Sequence, residues 1–328
     1  MYSVRFTGKD KEEMKIVFFG TSSFAIPCLE SLEKSSHTLL AVVTQPDQVG
    51  ERFLKRLPNP VKMWAFEKRI PLLQPATLSE PTLVRDLKES ASDLFVVASY
   101  GKILPASLLS IPIHGGINVH PSLLPRYRGA SPICWAILNG DRTTGVSVIR
   151  MVKEVDTGDI LLQKEVEIGS REDALQLSER LSHLGGELLM ETLAQIEKGT
   201  PVFAPQKGRA SDAPRFKKED GAIDWTKSAE ALSRQIRALV PWPGSFSYLK
   251  GKRVLLWKAD PEEGDSGGRP GEVVSLSKSG EFKVATGKGK LLLKELQLEG
   301  KERMKSREFL IGHPLVIGET FSCNPRDS

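Results

Sequence analysis

The stretch GGINVHPSLLPRYRGASPI, Gly115–Ile133, sets an amide, Asn118, and an imidazole, His120, one residue apart in a short apolar run. In an extended chain alternate side chains share a face, so Asn118 and His120 point one way and Ile117 and Val119 the other. Pro121 has no N–H for a ladder and Pro125 repeats the interruption, so the strand is expected to end at about His120 and open into the loop PSLLP. The polar pair then stands at a strand's C-terminal end, where open α/β sheets bind ligands. A second cluster, KEVDTGDI, carries Asp156 and Asp159 around Gly158 in a turn. Taken singly, Asp156 would serve its own backbone and His120 would be a satisfied core residue. Taken together, the amide can donate to a developing oxyanion, the imidazole can donate or shuttle a proton, and the carboxylate can fix the tautomer and raise basicity. Such a set suits direct attack by a substrate amine on a carbonyl held in the site, with no nucleophilic side chain. Ser122 lacks a nucleophile elbow, which weighs against a serine hydrolase. One His and one Asp without a third ligand would not close a zinc site, so no metal is expected.

These residues need a scaffold, and the chain supplies the pattern for one. MKIVFFG, TLLAVVTQPD, DLFVVASYGKILP and GGINVH read as short apolar strands. TSSFAIPCLESLEKSS and VKMWAFEKR between them have helical spacing. Apolar strands alternating with helices predict an α/β fold with a doubly wound, mostly parallel, Rossmann-like sheet. TTGVSVIRMV and DILLQKEVEI read as paired strands bracketing KEVDTGD, followed by a long helix with Gly185 and Gly186 in its middle. Only the first glycine of a G-x-G-x-x-G fingerprint follows the first strand, which disfavours a dinucleotide enzyme. Residues 200–218 hold three prolines and no period, as a linker would. Beyond them, a helix at SAEALSRQIRAL and several short strands with glycine turns predict a small OB-like β-barrel. The expected organisation is a disordered extension at 1–13, a catalytic domain at 14–199, a linker at 200–218 and a C-terminal domain at 219–328.

Composition narrows the function classes. The 328 residues are 40% hydrophobic and 27% charged, as in a globular protein, and neither a membrane span nor a secretory h-region is apparent, so the cytoplasm is expected. Cys28, Cys134 and Cys323 are odd in number and widely spaced, which suggests neither disulfides nor a zinc site. The formal charge is +5, yet residues 200–258 hold twelve Lys and Arg against five Asp and Glu. Each charge alone is a solvated surface group; their sum is a footprint for a polyanion such as RNA.

INVHPSLLPRYRGASPI followed by VDTGD resembles the 10-formyltetrahydrofolate-dependent formyltransferases. TQPD…NPVK, VVASYGKILP and IDWTKSAEAL…PWPGSF occur in the order expected for that family, so the resemblance covers about residues 14–325. It implies Asn118, His120 and Asp156 as the catalytic set and Ser122, Leu123, Leu124 and Pro125 as part of the folate-binding wall. It implies 10-formyltetrahydrofolate as co-substrate and the α-amino group of initiator methionyl-tRNA as acceptor; the sequence carries nothing that argues against a monomer, which is the expected state. In the family the loop after the second strand meets the tRNA acceptor end. Here it reads GERFLKR, with Arg52 at the matching arginine position, Glu51 and Phe53 departing from the pattern, and Lys55 and Arg56 keeping its sign. Arg215, Lys217 and Lys218 in the linker would extend the RNA track, with Lys250, Lys252 and Arg253 beyond them. A purine-pathway formyltransferase would not carry residues 219–328. A formyltransferase acting on an amino-sugar nucleotide is the nearest alternative, a folate hydrolase would use the same strand pair with water as acceptor, and a non-catalytic RNA-binding module would leave INVHPSLLP unexplained.

Overall fold

A computed structural model describes residues 13–47 and 59–324. The expected extension at 1–13 lies outside the described residues except for Glu13. The chain divides into two compact units, one built from residues up to Ala130 with Thr144–Val166 and Ser178–Ala213, the other from Ser131–Thr143, Glu167–Leu177 and the chain from Pro214 onward.

The first unit is organised by strands β1 (Lys15–Gly20), β2 (Thr38–Val43), β3 (Leu72–Leu73), β4 (Leu94–Ala98), β5 (Gly116–His120), β6 (Thr143–Arg150) and β7 (Ile160–Glu167). They form one sheet in the order β3-β2-β1-β4-β5-β6-β7. The pairs from β3 through β5 are parallel, whereas β6 runs antiparallel to β5 with His120 opposite Ser147. This bears out the mostly parallel α/β sheet. The apolar runs are buried as both-face burial requires: every residue of β1 after Lys15 and all of β4 are buried. Phe19 meets Phe95 at 5.1 Å and Tyr100 edge-on at 5.5 Å, and burial pushes the Tyr100 phenol up to about 12.

Helices α1 (Ile26–Glu33), α2 (Pro60–Lys68), α3 (Pro81–Glu89), α4 (Ala106–Leu109), α5 (Pro132–Asn139) and α6 (Ala174–Glu197) punctuate the strands. Their ends follow local chemistry. Asn59 caps α2 by accepting from Val61 N (3.0 Å) and Lys62 N (3.2 Å), with Pro60 in the first turn, and Gly140 closes α5 at φ 74°. The two glycines inside α6 have a packing reason. A Cβ on Gly185 would stand 2.9 Å from Val119 Cγ1, and one on Gly186 would stand 2.8 Å from Ser31 Oγ and 3.0 Å from the Pro27 carbonyl. Glycine there lets the helix backbone lie directly on β5 and α1, a gain that offsets its cost of about 1 kcal/mol in a helix.

The second unit takes α5 from early in the chain and then α7 (Ala229–Ala238), β8 (Ser245–Leu249), β9 (Lys252–Glu262), β10 (Val273–Leu276), β11 (Phe282–Ala285), β12 (Lys290–Leu298), β13 (Met304–Lys305), α8 (Ser306–Gly312) and β14 (Phe321–Ser322). The strands follow the order β10-β11-β12-β9-β8-β14, with β13 on β12. These neighbouring strands pair antiparallel, and the sheet curls until its edges meet at the bridge Glu272–Thr320. This is the small barrel-like domain expected of the C-terminal sequence. Its core holds Trp225, Phe282, Phe309 and Phe321, with Phe282 and Phe321 stacked at 6.2 Å. Trp225 Nε1 donates to Ser247 Oγ at 2.9 Å, which satisfies the one polar atom the indole brings inside.

Among the described residues no helix is long and apolar enough to cross a membrane. The cysteines are free; Cys28 is buried, which pushes its thiol up to about 12, and Cys323 is exposed.

Candidate active site

Strand β5 ends at His120, and the alternation along it holds: Val119 turns to α6 while Asn118 and His120 face the turn that follows β6. That turn delivers Asp156. Asn118 Nδ2 donates to Asp156 Oδ1 at 3.2 Å, and His120 Nδ1 lies 3.5 Å from Asp156 Oδ2. The three residues predicted from type and spacing are therefore brought together, although 38 residues separate the amide from the carboxylate. His120 is buried to 4% exposure and the Asp156 side chain to 11%, so the charge interactions work in a medium less polarisable than water.

The imidazole is hydrogen-bonded at Nε2 and faces the carboxylate at Nδ1. Nε2 is 2.9 Å from the Tyr127 carbonyl, an oxygen that only accepts, so Nε2 carries the hydrogen of that bond. Nδ1 faces the carboxylate at a distance too long for a hydrogen bond but short enough for Coulombic attraction whenever the ring takes a second proton. Asp156 Oδ2 also accepts from Gly129 N at 2.9 Å. Asn118 spends one amide hydrogen on Asp156 and is half-buried, which leaves its second hydrogen for a ligand.

Two loops carry this geometry. In the PSLLP loop Ser122, Leu124 and Pro125 are buried and Leu123 is half-buried. Ser122 Oγ donates to the Arg126 carbonyl at 2.7 Å, so it is engaged within its own loop and is not a poised nucleophile. Ser147 and Gln163 fix the loop from beneath. Ser147 Oγ donates to the Ser122 carbonyl (2.6 Å) and accepts from Leu124 N (3.2 Å), and Gln163 Nε2 reaches the Leu124 carbonyl at 3.1 Å. The Asp156 turn is tight: a Cβ on Gly158 would stand 1.8 Å from the Arg150 carbonyl, and Asp156 sits at φ 52°, a left-handed conformation that aspartate adopts more readily than most residues.

Tyr127, Gly129, Ser147 and Gln163 escaped the sequence reading. Ser147 had a signal, being a small polar residue inside the apolar strand TTGVSVIR directly opposite His120. Tyr127 and Gly129 act through backbone atoms, which leave no trace in residue type beyond the glycine. Arg52, Lys55 and Arg56 lie outside the described residues. Arg215, Lys217 and Lys218 are exposed. Two further basic positions are engaged locally: Lys250 pairs with Glu319 at 2.7 Å, and Arg253 stacks 3.9 Å over the Phe246 ring.

The mostly parallel sheet and the curled second sheet are the two folds, and the Asn–His–Asp cluster the site, against which known proteins can be compared. The family models described as formyl transferase and as formyl transferase, C-terminal domain, match residues 14–193 and 215–314. The chain belongs to the formyl transferase family. Relatives include the methionyl-tRNA formyltransferase of Citrifermentans bemidjiense, 44% identical over 306 residues that span 93% of this chain and 95% of that protein. The methionyl-tRNA formyltransferase of Geobacter sulfurreducens is 43% identical over 93% of this chain and 96% of its own length. Among solved structures, the fold is similar to HypX from Aquifex aeolicus in complex with tetrahydrofolic acid, with TM-score 0.64 at 21% identity over 91% of this chain. This chain spans 47% of the HypX chain. An N-formyltransferase from Helicobacter canadensis, in complex with folinic acid and dTDP-3-aminofucose, matches with TM-score 0.63 at 19% identity over 85% of this chain and 98% of its own.

Proposed function

We propose that this chain transfers the formyl group of 10-formyltetrahydrofolate to the α-amino group of initiator methionyl-tRNA, giving N-formylmethionyl-tRNA and tetrahydrofolate. The observation that carries it is the convergence of Asn118, His120 and Asp156 in a chain 44% identical, almost end to end, to a methionyl-tRNA formyltransferase.

The chemistry follows from what each group can do. The neutral amine attacks the formyl carbon, forming a C–N bond and an oxyanion. The free Asn118 N–H donates to that oxygen, and a protonated or proton-donating His120 supplies the second stabilising group, with Asp156 steadying the imidazole when it is charged. As the intermediate collapses, the bond to N10 breaks, the ammonium proton leaves the new amide nitrogen, and N10 gains a proton. Preorganised donors of this kind need no reorientation as charge develops. Ser122, Leu123, Leu124 and Pro125 form part of the folate wall; the bonds from Ser147 and Gln163 that immobilise this loop support that assignment.

In this reading residues 14–199 carry catalysis, residues 200–218 link, and residues 219–328 bind tRNA as an OB-like domain. Arg52, Lys55, Arg56, Arg215, Lys217 and Lys218 meet phosphates, and the enzyme works in the cytoplasm as a monomer. The test is acceptor choice. With formyl-labelled donor and methionyl-tRNA, glycinamide ribonucleotide or an amino-sugar nucleotide offered separately, label is expected on the tRNA alone. Label on the amino sugar, or tetrahydrofolate released without any acceptor, overturns the assignment.

A further inference from the structure

The segment from Ala204 to Ala213 has the composition of a linker, yet it is tied repeatedly to the loops of the active site. Ala204 bridges Ile160, Ser211 accepts from Tyr127 N at its hydroxyl (2.9 Å) and from Arg128 N at its carbonyl (2.9 Å), and Ala213 N donates to the Arg128 carbonyl at 2.7 Å. Within this strap Gln206 is half-buried while Pro205 and Lys207 beside it are exposed.

The Gln206 amide is used in full. Nε2 donates to the carbonyls of Asp156 (2.8 Å) and Gly158 (2.9 Å), and Oε1 accepts from Arg128 Nε (3.1 Å) and Nη2 (2.6 Å). One side chain thereby joins the turn that carries the carboxylate to the loop that carries both the Tyr127 carbonyl, partner of His120, and Gly129 N, partner of Asp156. The need for such a tie is visible in the backbone. Asp156 is left-handed, and its carbonyl and that of Gly158 are the two groups Gln206 fixes. These two bonds hold the turn's backbone, while Gly129 N holds the carboxylate itself at 2.9 Å.

We propose that Gln206 is a positioning residue for formyl transfer, acting through the Asp156–Gly158 backbone to set where the carboxylate meets Asn118 and His120. Its amide bonds go to Arg128 and to the Asp156 and Gly158 carbonyls, so it acts through those groups, and the assignment rests on the formyl-transfer reading above.

The test is a double-mutant cycle in the full-length protein with 10-formyltetrahydrofolate and methionyl-tRNA. Gln206→Ala is expected to lower kcat about 10- to 100-fold, as loss of a supporting shell does elsewhere, with both KM values within about twofold. In an Asp156→Asn background the same change is expected to cost less than about threefold, because its route to the chemistry is already cut. A kcat for Gln206→Ala within about twofold of wild type, or losses that multiply fully in the double variant, overturns the proposal. Gln206→Glu guards against a folding failure. Its carboxylate still accepts from Arg128 but sets a third acceptor oxygen against the two carbonyls, so kcat is expected to fall at least as far as in Gln206→Ala while circular dichroism at the assay temperature shows the fold kept; wild-type turnover in this variant also overturns the proposal. The acceptor reading is judged separately on the wild type. If that protein formylates an amino-sugar nucleotide instead of methionyl-tRNA, the acceptor assignment fails, and the same cycle run on that acceptor still decides Gln206.

Discussion

The loop cluster at the end of β5 and the curled sheet of the second unit spend their polar residues in opposite ways. Around His120 nearly every polar atom answers to one fixed partner: the ring to Tyr127 and Asp156, Asp156 to Gly129, the loop carbonyls to Ser147 and Gln163. In the second unit the interior is given to Trp225, Phe282, Phe309 and Phe321, while Arg215, Lys217 and Lys218 stand in water. Short-range chemistry needs a few atoms held within tenths of an ångström. A long-range field needs only sign and number, and it tolerates mobile side chains. The difference teaches where each kind of damage should appear: in rate for the first region, in stability and salt response for the second.

Four measurements would break or sharpen that contrast. Phe282→Ala, which empties the centre of the second core, is expected to lower unfolding free energy by about 3–5 kcal/mol, seen as a fall in melting temperature. A melting temperature at the wild-type value would mean that this core is not what holds the unit. Asn118→Ala and His120→Ala should each lose about 10²–10³ in turnover, equivalent to about 3–4 kcal/mol of transition-state stabilisation, with folate binding retained. Near-normal turnover in either removes that residue from the chemistry. Gly158→Ala forces a methyl against the rigid Arg150 carbonyl and should cost about 3 kcal/mol, the upper end for overpacking. Gly300→Ala is a control from the second unit: a Cβ there meets nothing within 4 Å but must adopt φ 76°, at about 1 kcal/mol. Equal melting temperatures for the two would deny the tightness of the Asp156 turn. Arg215→Ala or Lys218→Ala should have the smallest effect, leaving kcat unchanged and reducing the slope of log affinity for tRNA against log salt by about 1. A change in kcat, or an unaltered slope, would blur the division between the two regions.

The strands and the chemical trio were legible because each left a local mark. Apolar runs gave β1, β4 and β5, and proline after His120 gave the strand end. The helices α3 and α5 were not read, although each opens on a proline that suits a first turn. β3, with two residues, is too short for any period to register. The order of strands with antiparallel β6 is set by long-range pairing, which residue type does not encode. Gln206 shows the limit most plainly. Its partners lie 48 to 78 residues away, its neighbours are prolines, glycines and charges, and nothing in the local pattern separates it from a solvated glutamine.

The missing side chain at Gly185 has a bearing on the far face of the sheet. Val119 stands between the amide and the imidazole in sequence and rests on bare helix backbone, so the depth of β5 is gauged by that contact. A single methyl added on the dry side would lift the strand and shift both reactive groups together. In an assay, such a lesion would pass for injury to Asn118 and His120, the groups proposed to act on the formyl carbon, while leaving both of them in place.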